Sequence, residues 1–451
     1  MGVAWDTRET SFLWRILLAK HKAVPLRRDH ARPRHHPHTL DPIIAQHLTE
    51  LVSPATYRLA DYYHDLGLRE RVLTLPVMVS LVLTLIWQQV PSVSTLVQML
   101  ARDPLLWTPP THVSQQAVSE RLRTLPAALF GEVTHALLPQ LQERAVARSR
   151  PLPPVVARAK QHFRHLWIVD ATKLEALFKK VGALRETEGY PHGGTLLGLL
   201  DLESQLPVHL EWDADSALGE RRLLERVKDR LEPGTLLLFD GGFLSFALYD
   251  WCTEQAVSFL TRPHADAAYT VVEVLQETET VRDRIIQYGQ YRSNPCRHPV
   301  RLVEIQTTRG WYRYATNVLD PRVLSAADVA ELYGLRWDVE DAFSLVKRLL
   351  GLSYLWTGAA NGIELQVWAT WLLYAVLIDL CDQIAEVKGL PLDRISVEMV
   401  YRGLYHFAGA VQRGKATDPV AYLASQDDLG IVKRLRKPRT QLDNHRQILN
   451  L

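Results

Sequence analysis

The sequence predicts a mixed α/β core set between helical regions, and three observations predict it. Two apolar runs of four residues each finish in aspartate, in His165-Leu-Trp-Ile-Val-Asp170 and Thr235-Leu-Leu-Leu-Phe-Asp240. Short continuous apolar runs bounded by turn signals, here Gly241-Gly242 after the second, read as strands buried on both faces. The third observation is the segment Tyr333–Lys347, whose apolar residues recur with a helical period and whose polar residues line up along one rim.

In chain order, residues 1–155 read as a helical domain. Glu9–His21 is amphipathic, and Arg27-Arg28-Asp29-His30-Ala31-Arg32-Pro33-Arg34-His35-His36-Pro37-His38 is basic, His-rich and extended. It reads as an arm that contacts phosphates, and its histidines lack the regular spacing of a metal tract. Ser92 and Ser114 stand where helix N-caps are expected. Ser114–Arg123 offers the Gln, Ser and Arg side chains of a recognition helix, although a plain bundle helix reads the same way. Ser149-Arg-Pro-Leu-Pro-Pro154 is the best linker.

Residues 160–385 form the core. After the Asp170 strand, Gly193–Asp201 and Pro207–Trp212 read as a hairpin and Ala214–Leu231 as a helix. The Asp240 strand follows, then a helix over Ser245–Gln255 and a strand over Val257–Thr261. A β insertion at about 264–315 carries strand patterns at Tyr269–Leu275, Val281–Tyr288, Val300–Thr307 and Trp311–Val318. Residues 386–451 are helical and end in the basic run Lys433-Arg-Leu-Arg-Lys-Pro-Arg439.

Composition narrows the classes. Three widely spaced cysteines among 451 residues argue for a reduced cytosolic chain rather than a disulfide framework. The start lacks a signal-peptide pattern. The apolar stretches Leu73–Trp87 and Ile363–Cys381 read as buried helices, since the first is short and the second carries Glu364, Gln366 and Asp379. Net charge is +2 but unevenly placed: residues 1–165 hold 20 Lys+Arg against 12 Asp+Glu, and the other 286 hold 32 against 38. A basic amino-terminal third fits a DNA-binding domain.

At about 100° per residue, Tyr333, Arg336, Glu340 and Lys347 share an arc of roughly 60° beside the buried stripe. Arg336 and Glu340 also satisfy the spacing of an ordinary surface ion pair. Asp170 and Asp240, each at the carboxyl end of a central strand, sit where open α/β sheets bind ligands. Apposed carboxylates require protonation or a cation, and oxygen-only ligands suit Mg²⁺ or Mn²⁺. With Glu340 they make a set suited to two-metal phosphoryl transfer. Taken singly, each Asp also reads as a strand-end turn former.

The spacing Tyr-(2)-Arg-(3)-Glu-(6)-Lys at Tyr333, Arg336, Glu340 and Lys347 resembles the signature of a large group of bacterial insertion-sequence DDE transposases. Ile168-Val-Asp170-Ala-Thr172, Asp240-Gly241-Gly242-Phe243, Ala315-Thr-Asn-Val318 and Leu332–Trp337 are similar to it too. The resemblance covers about residues 160–385 and departs at Gly241, where members often carry Arg. It implies a ribonuclease-H-like core, matching the succession of three strands, helix, strand, helix and strand. It implies catalytic, metal-holding Asp170, Asp240 and Glu340 with two Mg²⁺ or Mn²⁺ ions, and DNA contacts by Tyr333, Arg336 and Lys347. The implied partners are the transposon ends and target DNA, bound by a dimer assembled on DNA, with no membrane role. Some members cut through a hairpin and stack a flipped base on an insertion aromatic. Trp311 is the candidate here, and a core tryptophan is the competing reading. Rival functions are a nuclease without strand transfer, a silent DNA-binding relative, and a hydrolase of small phosphates.

Overall fold

Leu166–Val169 and Leu236–Phe239 are buried because they are neighbouring central strands of one nine-stranded mixed sheet. In the computed structural model the described residues are 42–69, 71–174, 193–243, 245–263, 267–289, 293–308, 310–352 and 355–433. The Glu9–His21 segment, the Arg27–His38 arm and the basic run past Lys433 lie outside them. The strands are β1 (His165–Lys173), β2 (Thr195–Asp201), β3 (Pro207–Asp213), β4 (Thr235–Phe239), β5 (Ser258–Thr261), β6 (Tyr269–Glu277), β7 (Val281–Tyr288), β8 (Val300–Thr307) and β9 (Gly310–Thr316). Their order is β3-β2-β1-β4-β5-β9-β8-β7-β6. β1, β4 and β5 run parallel, and every other pairing is antiparallel. The inserted strands therefore extend the core sheet, joining it where Leu260 and Thr261 pair with Thr316 and Ala315.

Alternation along the strands separates two cores. Ile168, Leu238 and Leu260 face one, Val169, Phe239 and Phe259 the other. The second is covered by α8 (Glu220–Val227) and α9 (Phe246–Glu254). The first is covered by α10 (Ala326–Gly334), α11 (Trp337–Ser344) and α12 (Ala360–Lys388). Before β1 come α1 (Pro42–Arg58), α2 (Ala60–Asp65), α3 (Leu75–Trp87), α4 (Val93–Leu100), α5 (Gln115–Thr124), α6 (Ala128–Ala147) and α7 (Pro154–Ala159). After α12 come α13 (Val397–Gln412) and α14 (Pro419–Ser425). Ser92 and Ser114 cap α4 and α5 by accepting from Thr95 N and Ala117 N, each at 3.1 Å.

α12 is long and apolar enough to cross a membrane, yet it is packed inside the fold against α3, α6 and α14. Its buried Asp379 and Asp382 hold the expected linker in place. Arg148 bridges both at 2.6 and 2.7 Å, and Arg150 pairs with Asp382. Buried charges persist only when paired in this way. All described residues belong to one compact unit.

Two sequence expectations are corrected. The helix expected from Ala214 begins only at Glu220, because the Asp213 and Asp215 carboxylates accept from Asp215 N and Ala217 N at 2.7 and 2.8 Å. Such side-chain turns compete with helix. Nor is Tyr333–Lys347 one helix. α10 ends at Gly334, a poor helix former, and Leu335 and Arg336 turn through i→i+3 bonds from Leu332 and Tyr333. α11 then runs to Ser344, and Leu345–Leu349 is a π turn. The tight step advances each residue further than 100°, so side chains three apart eclipse, and the buried Tyr333 ring stays beside the Arg336 guanidinium, which lies 5.8 Å from the ring centre.

Candidate active site

Val169 pairs with Phe239, so Asp170 and Asp240 follow the last paired positions of neighbouring parallel strands. Asp170 stays in register with Gly198 of β2. A Cβ at Gly198 would lie 3.1 Å from the Phe343 ring. The glycine thus admits Phe343, and α11 comes down over β1. Glu340 is three residues before Phe343, on the same side of that helix.

One guanidinium joins the two elements. Arg336 donates from Nη2 to Glu340 Oε1 at 2.7 Å and from Nη1 to Asp170 Oδ2 at 3.4 Å. Its side chain is 6% exposed and lies near the Tyr333 and Trp337 rings, 5.8 and 5.2 Å from their centres. Burial pushes the Asp170 carboxyl up to about 6, with Glu340 and Glu220 adding to the rise; the Ala171 N–H and Arg336 pull the other way. Asp240 is exposed and accepts from Gly241 N. Its loop is close-packed: a Cβ at Gly241 would lie 2.9 Å from the Arg262 carbonyl, and one at Gly242 2.9 Å from the end of the Glu220 side chain, which can move aside.

Lys347 donates to Thr172 Oγ1 and, at 2.9 Å, to the Lys173 carbonyl, so it fastens the strand just past Asp170. Arg336, Glu340 and Lys347 therefore converge on the end of β1. Tyr333 is buried against Tyr314, with ring centres 5.4 Å apart, and burial pushes its phenol up to about 12. Trp311 lies apart from them. On β9 it alternates with Tyr312, and the Arg282 guanidinium covers its ring at 4.2 Å. Tyr312 shares its strand face with Tyr314, which packs on Tyr333, and carries Arg262 5.3 Å from its ring centre. On α5, Arg121 is turned inward, donating to the Leu73 carbonyl at 3.2 Å and to Tyr63 Oη. Gln115 and Gln116 remain exposed.

Glu220 is the group that sequence reasoning missed. Burial first, then Asp240, pushes its carboxyl up, and Lys173 opposes them. Its position at the start of α8 looked like any acidic first-turn residue. The donors on hand, Asp170, Asp240 and Glu340, are all carboxylate oxygens, which suit a hard divalent ion. A buried carboxylate whose ionisation is resisted, sharing one guanidinium with a second carboxylate, also fits a site that takes added positive charge. Among the described residues no three His, Cys, Asp or Glu side chains already form a group that could hold an ion. Arg336 stands between two of the three carboxylates.

Residues 162–375 match the model of the transposase DDE domain family. A protein of Sinorhizobium fredii described as "Putative transposase y4zB" is 21% identical over 275 residues, covering 59% of this chain and 72% of that one. Among solved structures, a cryo-EM structure of the piggyBac transposase synaptic complex with hairpin DNA aligns over 92% of this chain and 90% of that one. The identity is 11% and the TM-score 0.35. Asp170, Asp240 and Glu340 all fall inside the matched domain, and the family match together with the Sinorhizobium relative supports a DDE transposase.

Proposed function

We propose that this chain is a cut-and-paste DNA transposase with a ribonuclease-H-like core. The observation that carries the reading is that Asp170 and Asp240 follow neighbouring parallel strands at the same end of the sheet, and that the α11 residue Glu340 is linked to Asp170 through Arg336. The order β3-β2-β1-β4-β5, with β1, β4 and β5 parallel, supports the core assignment.

In this reading Asp170, Asp240 and Glu340 would hold Mg²⁺ or Mn²⁺, two ions in all. When bound, the ions supply activation of the attacking oxygen and stabilisation of the leaving one. Water attacks the phosphodiester at a transposon end and the 3′-oxygen departs as a hydroxyl. That hydroxyl then attacks a target phosphodiester in line, forming one bond as the equivalent one breaks, so no protein nucleophile is needed. Arg336, which holds Asp170 and Glu340 here, would turn its planar fork to phosphate, which suits bidentate contact. Lys347 orients the β1 end and adds a point charge, and Tyr333 backs Arg336 from the core. Residues 1–155 recognise the ends, with Gln115 and Gln116 of α5 offered to base edges, and a dimer assembles on DNA.

The experiment is a strand-transfer assay of the purified full chain with Mg²⁺ and the ends of its own element. Products joined to target DNA support the reading. Nicked ends that never join would make the protein a nuclease instead, and binding without cleavage would make it a silent DNA-binding relative.

A further inference from the structure

The groove beside the Asp240 loop carries charge that the catalytic arrangement does not use. It is an open cavity of about 490 Å³ whose lining includes Thr172, Lys173, Gly219, Arg221, Arg222 and Gly242. Thr172 is two residues past Asp170 and Gly242 two past Asp240, so the groove leads directly away from the carboxylates. Lys173, Arg221 and Arg222 are exposed. Among the described residues none of the three makes an ion pair, whereas the neighbouring Arg226 is paired with Glu211 and Asp213. The one carboxylate in the lining, Glu220, lies against Gly242, so the groove remains net positive.

Arg221 is anchored to the catalytic loop. Its Nε donates to the Gly242 carbonyl at 3.2 Å, which positions a guanidinium beside Asp240 and leaves its terminal nitrogens without a carboxylate partner among the described residues. No side chain caps the first turn of α8, where Arg221 and Arg222 sit. Three exposed cations against the single lining carboxylate Glu220, on which Lys173 acts, in a groove opening from a candidate phosphodiester site match a chain of phosphates, since phosphate contacts from Lys and Arg position a nucleic acid without reading its sequence.

We propose that this groove seats the phosphate backbone of the DNA strand as it leaves the cleavage site, with Arg221, Arg222 and Lys173 as its contacts. The inference rests on the transposase reading and adds the path of the strand to it. Each cation that neutralises a duplex phosphate steepens the dependence of log K on log salt by about 0.9.

The test measures binding of the full chain to a fluorescently labelled duplex of arbitrary sequence by polarisation, over a salt series. For the double variant Arg221→Gln/Arg222→Gln the slope should become shallower by about 1.8, with Tm unchanged because both side chains are exposed. Arg413→Gln/Lys415→Gln, which removes two exposed cations beyond α13, should leave the slope as it is. A wild-type slope in the groove variant overturns the inference while the transposase reading stands. An equal change in the control variant also overturns it, by assigning the effect to general surface charge. A wild-type chain that binds no DNA removes the transposase reading and this inference together.

Discussion

At the residue scale the site turns on Arg336. Its guanidinium links Asp170 to Glu340, with the Arg336 and Asp170 side chains only 6% and 13% exposed. Charge-assisted bonds of this kind are about twice as strong as neutral ones. Arg336→Ala is therefore expected to lower DNA cleavage by at least about tenfold, roughly 1.4 kcal/mol of barrier, with end binding nearly unchanged. Single-turnover cleavage set beside a binding isotherm checks it, and an equal loss in both would move Arg336 from catalysis to general grip. The aromatic question also belongs to single residues. Strand alternation puts Tyr312, not Trp311, on the face that carries Tyr314 and Tyr333, and stacking a flipped base returns about 1–3 kcal/mol. If cleavage passes through a hairpin, Tyr312→Ala should slow that step by roughly tenfold while nicking continues, and Trp311→Ala should do less. A denaturing gel resolving nick, hairpin and free end over time distinguishes them, and the reverse ranking would return the role to Trp311.

At the element scale, Glu340 is placed by the seat of α11 on β2. Gly198 leaves room for Phe343, and a larger residue must push that ring away. Gly198→Val should cost about 1–3 kcal/mol as an overpacking change and lower cleavage by displacing Glu340. Phe343→Leu in the same chain should recover part of both, in a double-mutant cycle of Tm and rate. Independent, additive losses would mean the two residues do not set the helix position. The strands were legible in the sequence because a run such as Leu-Leu-Leu-Phe-Asp240 has few alternatives. Their parallel pairing was not, since nothing local specifies which strands become neighbours. The break at Gly334 was hidden for a related reason: the apolar stripe continues across it, so periodicity reads one helix where a tight turn separates two. Glu220 and the groove beside it were invisible, because they depend on α8 approaching the Asp240 loop from another part of the chain.

At the scale of the whole molecule, the helical region before β1 is fastened to the core rather than hung from a loose linker. Arg148 and Arg150 flank Ser149 and bind the buried Asp379 and Asp382 of α12. Proline and serine content made this stretch look like a flexible joint; the buried carboxylates that hold it lie more than 200 residues away. Breaking a buried pair from one side costs about 3–5 kcal/mol, so Arg150→Ala should lower Tm by several degrees in a thermal melt. A wild-type Tm would show that the network contributes little and that the linker is free.

Asp170 and Asp240 end neighbouring strands and Glu340 reaches Asp170 through Arg336, and the proposal that the three cleave DNA with a divalent metal is tested most directly by one assay. Cleavage of DNA carrying the element's ends is followed with Mg²⁺ or with EDTA, for the intact chain and for Asp170→Ala, Asp240→Ala and Glu340→Ala, with end binding measured in parallel. Cleavage by the intact chain with Mg²⁺ alone, and background levels for EDTA and for each variant with binding retained, is the expected result. Appreciable cleavage by Asp240→Ala, or by the intact chain in EDTA, would contradict it.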